Sequence, residues 1–67
     1  MDKKVQVIHE SMINGQKKQA VALIDEYGQY DFWQAYTRFL YDTYESIDAR
    51  YEYFSDATIS YHRITNR

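Results

Sequence analysis

The stretch that decides the fold runs from Asp31 to Arg67 and reads DFWQAYTRFLYDTYESIDARYEYFSDATISYHRITNR. It contains neither glycine nor proline, the two residues that most often interrupt a helix. Its apolar and aromatic side chains recur every three or four residues, which is the spacing of one face of an α-helix. The recurring positions are Trp33, Tyr36, Leu40, Tyr44, Ile47, Tyr51, Phe54, Thr58 and Tyr61.

This pattern predicts either one long helix or two helices separated by a kink. A helix of about 30 residues would be about 45 Å long, which exceeds the width of so small a globule, so we expect a break. We place the break near Thr43–Asp48. Serine is a preferred N-cap residue, and Ser46 and Ser55 are therefore the candidate caps of a resumed helix. An unbroken helix would need a second copy of the chain to cover its far end.

The start of this third segment carries a capping signal. Asp31 is followed three residues later by Gln34, which is the spacing of a capping box. The carboxylate would also lie at the positive end of the helix dipole. The sequence therefore predicts that the third helix begins at Asp31.

The only two glycines, Gly15 and Gly28, divide the rest of the chain into two shorter helical segments. The first covers about residues 2–13, with Asp2 as its N-cap. The second covers about residues 16–27 and ends at Gly28, where a left-handed C-cap residue is expected. The apolar stripes are Val5, Ile8 and Met12 in the first segment, and Ala20, Leu23, Ile24 and Tyr27 in the second.

These segments predict a single all-α domain over residues 1–67, a compact bundle of three or four helices whose last helix is long or kinked. The chain has no cysteine, which excludes disulfides and thiolate metal sites. A domain this short therefore depends on dense helix packing or on self-association, such as a homodimer. Its longest apolar run, residues 20–24, is far shorter than the ~20 residues that cross a bilayer. We expect no membrane contact and a cytoplasmic location.

The sequence lacks the patterns that accompany catalysis. There is no cysteine nucleophile, and no glycine-rich elbow presents a serine. His9 and His62 lie near opposite ends of the chain and are not repeated at metal-ligand spacing, so we interpret them as single helix-surface or interface residues. Two isolated glycines do not make a phosphate-binding loop. We therefore expect no enzyme activity, no cofactor and no metal.

Acidic residues are concentrated in the middle of the chain. Residues 25–56 contain eight carboxylates and two arginines, whereas the whole chain has a net charge of only −2. Asp42, Glu45, Glu52 and Asp56 would share one face of a continuous helix. Such a row could imitate nucleic-acid phosphates, although an ordinary solvated helix face is the simpler interpretation.

A basic pair opens the second segment. Lys17 and Lys18 follow the turn at Gly15, and a short helix, a glycine turn and a second helix with polar residues at its start fit a helix-turn-helix. Lysines in this position could contact nucleic-acid phosphates. The net acidic charge of the domain argues against this alternative, because DNA-binding domains usually carry a strong basic patch.

The aromatic content is the most informative feature. Eight tyrosines, three phenylalanines and one tryptophan are more rings than so small an interior can enclose, and each tyrosine hydroxyl needs a partner or water. Tyrosine and tryptophan are common anchors of protein interfaces. We therefore predict an interaction surface on the third segment from the rings that lie off its main stripe, which are Tyr30, Phe32, Phe39, Tyr41 and Tyr53.

Three parts of the chain, SMINGQKKQA at residues 11–20, EYG at residues 26–28 and YDFW at residues 30–33, resemble small proteins of bacteriophages and mobile elements. The resemblance lies within residues 11–33, about a third of the chain, and carries no catalytic residues. It implies a short helical protein that binds and modulates a host protein, defence systems included.

The leading hypothesis is a small non-catalytic protein-interaction module that binds a protein partner through a tyrosine-rich helix face. It implies a modulator or inhibitor of a host protein if the phage resemblance applies. The alternatives are a nucleic-acid-binding helical module that uses Lys17 and Lys18, and an acidic mimic of nucleic acid.

Overall fold

The computed structural model describes residues 2–66, and in that range the chain forms four α-helices. They are α1 (Lys3–Ile13), α2 (Lys17–Tyr27), α3 (Gln29–Thr43) and α4 (Ile47–Thr65). α1 packs against α2 and α3, and α4 packs against α2 and α3. These four packed helices confirm the predicted all-α bundle. The molecule measures 34 × 21 × 21 Å.

α1 begins at the predicted cap. One carboxylate oxygen of Asp2 accepts hydrogen bonds from the backbone N–H groups of Lys4 at 2.9 Å and Val5 at 3.4 Å. The other oxygen accepts a hydrogen bond from the Tyr27 hydroxyl at 2.7 Å. This bond from Tyr27 is the largest cause of the lowered pKa of Asp2. The same side chain therefore caps α1 and ties it to the end of α2.

Gly28 ends α2 and also begins α3. Its φ of +105° is a conformation that residues with a Cβ rarely adopt. Its N–H donates to the carbonyl of Ile24 at 2.9 Å, and its own carbonyl accepts from the N–H of Phe32 at 2.8 Å. α3 consequently begins at Gln29, and the predicted start at Asp31 is wrong. Asp31 lies in the first turn of α3, where its charge favours the helix dipole.

The predicted break in the third segment is confirmed as a reversal of the chain. α3 ends at Thr43, and Tyr44, Glu45 and Ser46 connect it to α4. The Ser46 side chain accepts a hydrogen bond from the N–H of Ala49 at 3.3 Å, whereas Ser55, the other proposed cap, lies inside α4.

The two halves of the segment are antiparallel. The ring centroids of Trp33 and Tyr61 are 5.7 Å apart, and those of Tyr36 and Phe54 are 6.3 Å apart. The beginning of α3 therefore lies against the end of α4, and the alternative of one unbroken helix is wrong.

Arg50, which belongs to α4, stabilises the reversal. Its Nε donates to the carbonyl of Tyr44 at 2.6 Å, and its Nη2 donates to the carbonyl of Tyr41 at 3.3 Å. The guanidinium also lies 4.0 Å from the centre of the Tyr41 ring. Since the last turn of α3 contains no basic residue of its own, Arg50 supplies the cation that this carboxyl-terminal end favours.

The reversal changes which side chains face the core. Two members of the predicted apolar stripe, Ile47 and Tyr51, are each 76% exposed. Their predicted burial is wrong because the face of α4 that packs against α2 and α3 is centred on Ala57 and Ser60, and Ile47 and Tyr51 lie to one side of that face. The core-facing positions of α4 are Tyr53, Phe54, Ala57, Ser60 and Tyr61.

Ser46→Ala should lower the free energy of unfolding by about 1 kcal/mol, because it removes the side-chain acceptor at the first turn of α4. Ser55→Ala, at a helix-interior position, should raise the free energy of unfolding by a few tenths of a kcal/mol, because alanine has the higher helix propensity. Urea unfolding followed by circular dichroism measures both. Equal effects of the two substitutions would contradict the assignment of Ser46 as the cap.

Candidate interaction surface

The twelve aromatic side chains divide into three groups by exposure. Phe32, Tyr36 and Phe39 are buried. Tyr30, Tyr41 and Tyr51 are exposed to 75%, 66% and 76% respectively. The other six are partly buried and pack against the core: Tyr27, Trp33, Tyr44, Tyr53, Phe54 and Tyr61.

Two of the partly buried tyrosines are fixed within the monomer through their hydroxyls. Tyr27 donates to Asp2, as described above. Tyr61 donates to Asp25 at 2.6 Å, and this bond is the largest cause of the raised pKa of Tyr61. These rings are therefore part of the packing between helices, and their hydroxyls reach surface carboxylates.

His9 is the polar centre of the aromatic core. It is only 4% exposed, so its interpretation as a helix-surface residue is wrong. Its Nδ1 lies 2.8 Å from the Tyr36 hydroxyl, and its Nε2 lies 2.8 Å from the Tyr44 hydroxyl. Its ring also contacts Phe39 and Tyr53, each at a centroid distance of 5.1 Å. One side chain of α1 is thus bonded to α3 and to the reversal.

The burial of Tyr36 indicates which nitrogen of the His9 ring carries the hydrogen. Among the described residues, the Tyr36 hydroxyl has no hydrogen-bond partner besides His9, so it donates to Nδ1 and leaves no buried O–H unpaired. Nε2 then carries the hydrogen and donates to Tyr44, which is only partly buried. Burial lowers the pKa of His9, and it raises the pKa of both tyrosines. Burial therefore favours the neutral forms of His9, Tyr36 and Tyr44.

An apolar surface lies on the outer side of the reversal, where α3 and α4 meet. Tyr41, Ile47 and Tyr51, which we call the α3–α4 patch, are exposed to 66%, 76% and 76%. They border a groove of about 290 Å³. The remaining residues of the groove are Thr37, Leu40, Arg50 and Phe54.

The patch includes only one of the five ring residues that the sequence pattern proposed for an interface. Tyr41 belongs to it. Phe32 and Phe39 are 1% and 6% exposed, so their proposed exposure is wrong, and Tyr53 is partly buried against His9 and Tyr44. Phe39 and Tyr53 pack against His9, whereas Phe32 stacks on Tyr36.

Tyr30, the remaining proposed residue, is exposed at the other end of α3. It lies three helical turns, or about 16 Å, before Tyr41. Since two positions 11 residues apart lie on nearly the same face of an α-helix, the two tyrosines face the same way. Tyr30 is therefore on the same side of α3 as the patch but outside the groove.

The proposed nucleic-acid residues lie at the start of α2. Lys18 is exposed, and the ammonium of Lys17 lies 3.5 Å from a carboxylate oxygen of Asp56 on α4. Lys17, Glu52 and Asp56 line the same groove beside His9. Two carboxylates therefore oppose the attraction of Lys17 for a phosphate.

The proposed acidic row is not continuous. Asp42 belongs to α3, Glu45 to the connection, and Glu52 and Asp56 to α4, so their predicted common face on one helix is wrong. The reversal separates them, and Asp56 pairs with Lys17.

Within residues 2–66, no three histidine, aspartate or glutamate side chains converge as a metal site would require. No helix in the same range is both long and apolar enough to cross a bilayer. Searches of protein-family models, of curated proteins and of solved structures found no match to this chain.

Acidification should destabilise the fold through His9. The unfolded chain binds a proton as the pH falls below about 6.5, whereas the folded state, with its lower His9 pKa, does not. The free energy of unfolding should therefore fall as the pH drops from 6.5 to the folded-state pKa of His9, by at most about 1.4 kcal/mol per pH unit. Urea unfolding between about pH 7.5 and pH 5.5 measures this loss.

His9→Gln should remove that pH dependence, and His62→Gln, which replaces the only other histidine, should retain it. An NMR titration of the His9 ring in the unmodified protein gives the same test without a substitution. A wild-type stability that does not change over this pH range would contradict the role of His9.

Proposed function

We propose that this protein is a non-catalytic protein-interaction module and that the α3–α4 patch is its binding surface. The observation that carries the proposal is the exposure of Tyr41, Ile47 and Tyr51 around one apolar groove. Large apolar side chains that are exposed singly are common, but a contiguous group beside a groove is typical of an interaction site.

The chemistry of the patch supports this role. Tyrosine contributes a large contact area and a hydroxyl while losing little rotamer entropy, which makes it a frequent hot spot of interfaces. The Tyr41 ring is already positioned by the guanidinium of Arg50 at 4.0 Å. An anchor that is ordered before binding costs less entropy when the partner docks.

A second apolar cleft offers a weaker case. It lies between α1 and α2, measures about 350 Å³ and includes Val7, which is 52% exposed. Its only aromatic residue is Tyr27, whose hydroxyl is bonded to Asp2. The α3–α4 patch has two exposed rings and is the better anchor site.

The absence of catalysis is also part of the proposal. Both ring nitrogens of His9 are hydrogen-bonded, one to the buried Tyr36 hydroxyl and one to the partly buried Tyr44 hydroxyl, so neither nitrogen is directed at a substrate. The resemblance to phage proteins supports a host protein as the partner, and it is the sole support for that choice.

Replacing both Tyr41 and Tyr51 by alanine should reduce partner capture about thirtyfold or more, because even one interface hot spot contributes about 2 kcal/mol or more. The partner is captured with the tagged full chain from lysate of the native host and quantified by mass spectrometry. Circular dichroism should show the same helical content, because both side chains are exposed.

The matched control is the double substitution Val7→Ala with Ile13→Ala. It also removes two exposed apolar side chains, which are 52% and 51% exposed on α1. Equal capture by the wild type and the tyrosine variant would contradict the proposal. Sedimentation of the same samples determines whether the captured partner is a second copy of the chain.

A further inference from the structure

Three exposed carboxylates lie next to the α3–α4 patch along the chain. Asp42 directly follows Tyr41, with which it lines a shallow groove, Asp48 follows Ile47, and Glu45 lies in the connection between the helices. The single ion pair among residues 2–66 joins Lys17 to Asp56, so none of these three carboxylates is paired within that range.

The nearby cations do not cancel this charge. Arg50 directs its donors to the carbonyls of Tyr41 and Tyr44. Arg38 lines a shallow groove together with Tyr41 and Asp42. Two arginines against three carboxylates leave the surroundings of the patch with a net negative charge.

Asp42 lies in the last turn of α3, where the helix dipole disfavours a negative charge. Asp48 lies in the first turn of α4, where the dipole favours a negative charge. A cation of a partner beside Asp42 would offset the unfavourable interaction at the end of α3.

We infer that the α3–α4 patch binds an amphipathic, cationic helical segment of another protein. Apolar side chains of the segment would enter the groove, and lysines or arginines beside them would meet Asp42, Glu45 and Asp48. A groove between two antiparallel helices suits a helix whose anchors recur every three or four residues. This inference rests on the proposed function and specifies the chemistry of the partner.

The same charges disfavour a second copy of the chain as the occupant. A symmetric dimer through this patch would bring the same surface of both subunits together. The carboxylates around one patch would then face those around the other, and like charges across an interface are unfavourable.

The test uses three synthetic amphipathic peptides of about 18 residues that share apolar positions at helical spacing. Their polar positions carry lysine, glutamate or glutamine. Binding to the full chain is measured by calorimetry and by NMR shift mapping. We expect the lysine peptide to bind at least about tenfold more tightly than the glutamate peptide at ~50 mM salt, with the preference decreasing at ~500 mM.

Two double variants distinguish the loss of negative charge at the patch from a general change in the stability of the fold. Asp42→Asn with Glu45→Gln should weaken binding of the lysine peptide about fivefold, as expected for two exposed ion pairs. Glu10→Gln with Glu26→Gln removes the same charge elsewhere, including one carboxylate in the last turn of α1, and should leave binding unchanged. Tyr41→Ala with Tyr51→Ala should abolish saturable binding of every peptide.

Each of the other outcomes has a definite meaning. Equal binding of all three peptides, still lost in the tyrosine variant, would overturn the cationic partner and leave the proposed surface intact. Binding of the lysine peptide that does not depend on Tyr41 and Tyr51 would overturn both. Absence of binding by the lysine peptide at low salt, or salt-independent self-association through the patch, would overturn this inference.

Discussion

The reversal of the chain at Tyr44, Glu45 and Ser46 is the constraint on which the rest of the structure depends. Without it, the residues of α3 and α4 would form a rod about 50 Å long, whereas the folded molecule is 34 Å in its longest dimension. The reversal brings the rings of α3 against those of α4. It also places Tyr41, Ile47 and Tyr51 on the outside of the bend, where no other helix covers them.

The interior explains why the chain uses tyrosine where phenylalanine would fill the same space. Tyr36 and Tyr44 provide hydroxyls for both nitrogens of His9, so α1 is joined to α3 and to the bend by hydrogen bonds inside an aromatic core. A buried polar group that is fully paired favours one packing arrangement over its alternatives. The exposed rings of Tyr41 and Tyr51 lie outside this core, although Tyr41 contacts the Arg50 guanidinium, and their exposure is the basis of the proposed binding surface.

Local signals in the sequence predicted most of the helix boundaries. Asp2, Gly28 and Ser46 cap their helices through hydrogen bonds with backbone groups a few positions away. Their capping roles can therefore be predicted from the neighbouring sequence. The predicted start of α3 was wrong because Gly28 both ends α2 and begins α3. A cap at Asp31 is therefore not needed. These are all effects that act within about one helical turn.

The proposed interaction surface was harder to predict because it depends on contacts between distant residues. His9 meets partners 27 and 35 positions away, and no local pattern shows that Phe39 and Tyr53 would surround it. The exposure of Ile47 and Tyr51 depends on the phase of α4. Ile47 and Tyr51 have the helical spacing of Phe54, so the break at Ser46 does not by itself show that they are exposed.

The proposed binding surface requires that Tyr41 and Tyr51 remain in contact with solvent when the protein is alone. The most direct measurement is the paramagnetic relaxation of assigned tyrosine ring protons by a soluble, uncharged gadolinium complex, in a sample shown to be monomeric. We expect strong relaxation for Tyr30, Tyr41 and Tyr51, and little for Tyr36. Protection of Tyr41 and Tyr51 equal to that of Tyr36 would contradict the proposed binding surface.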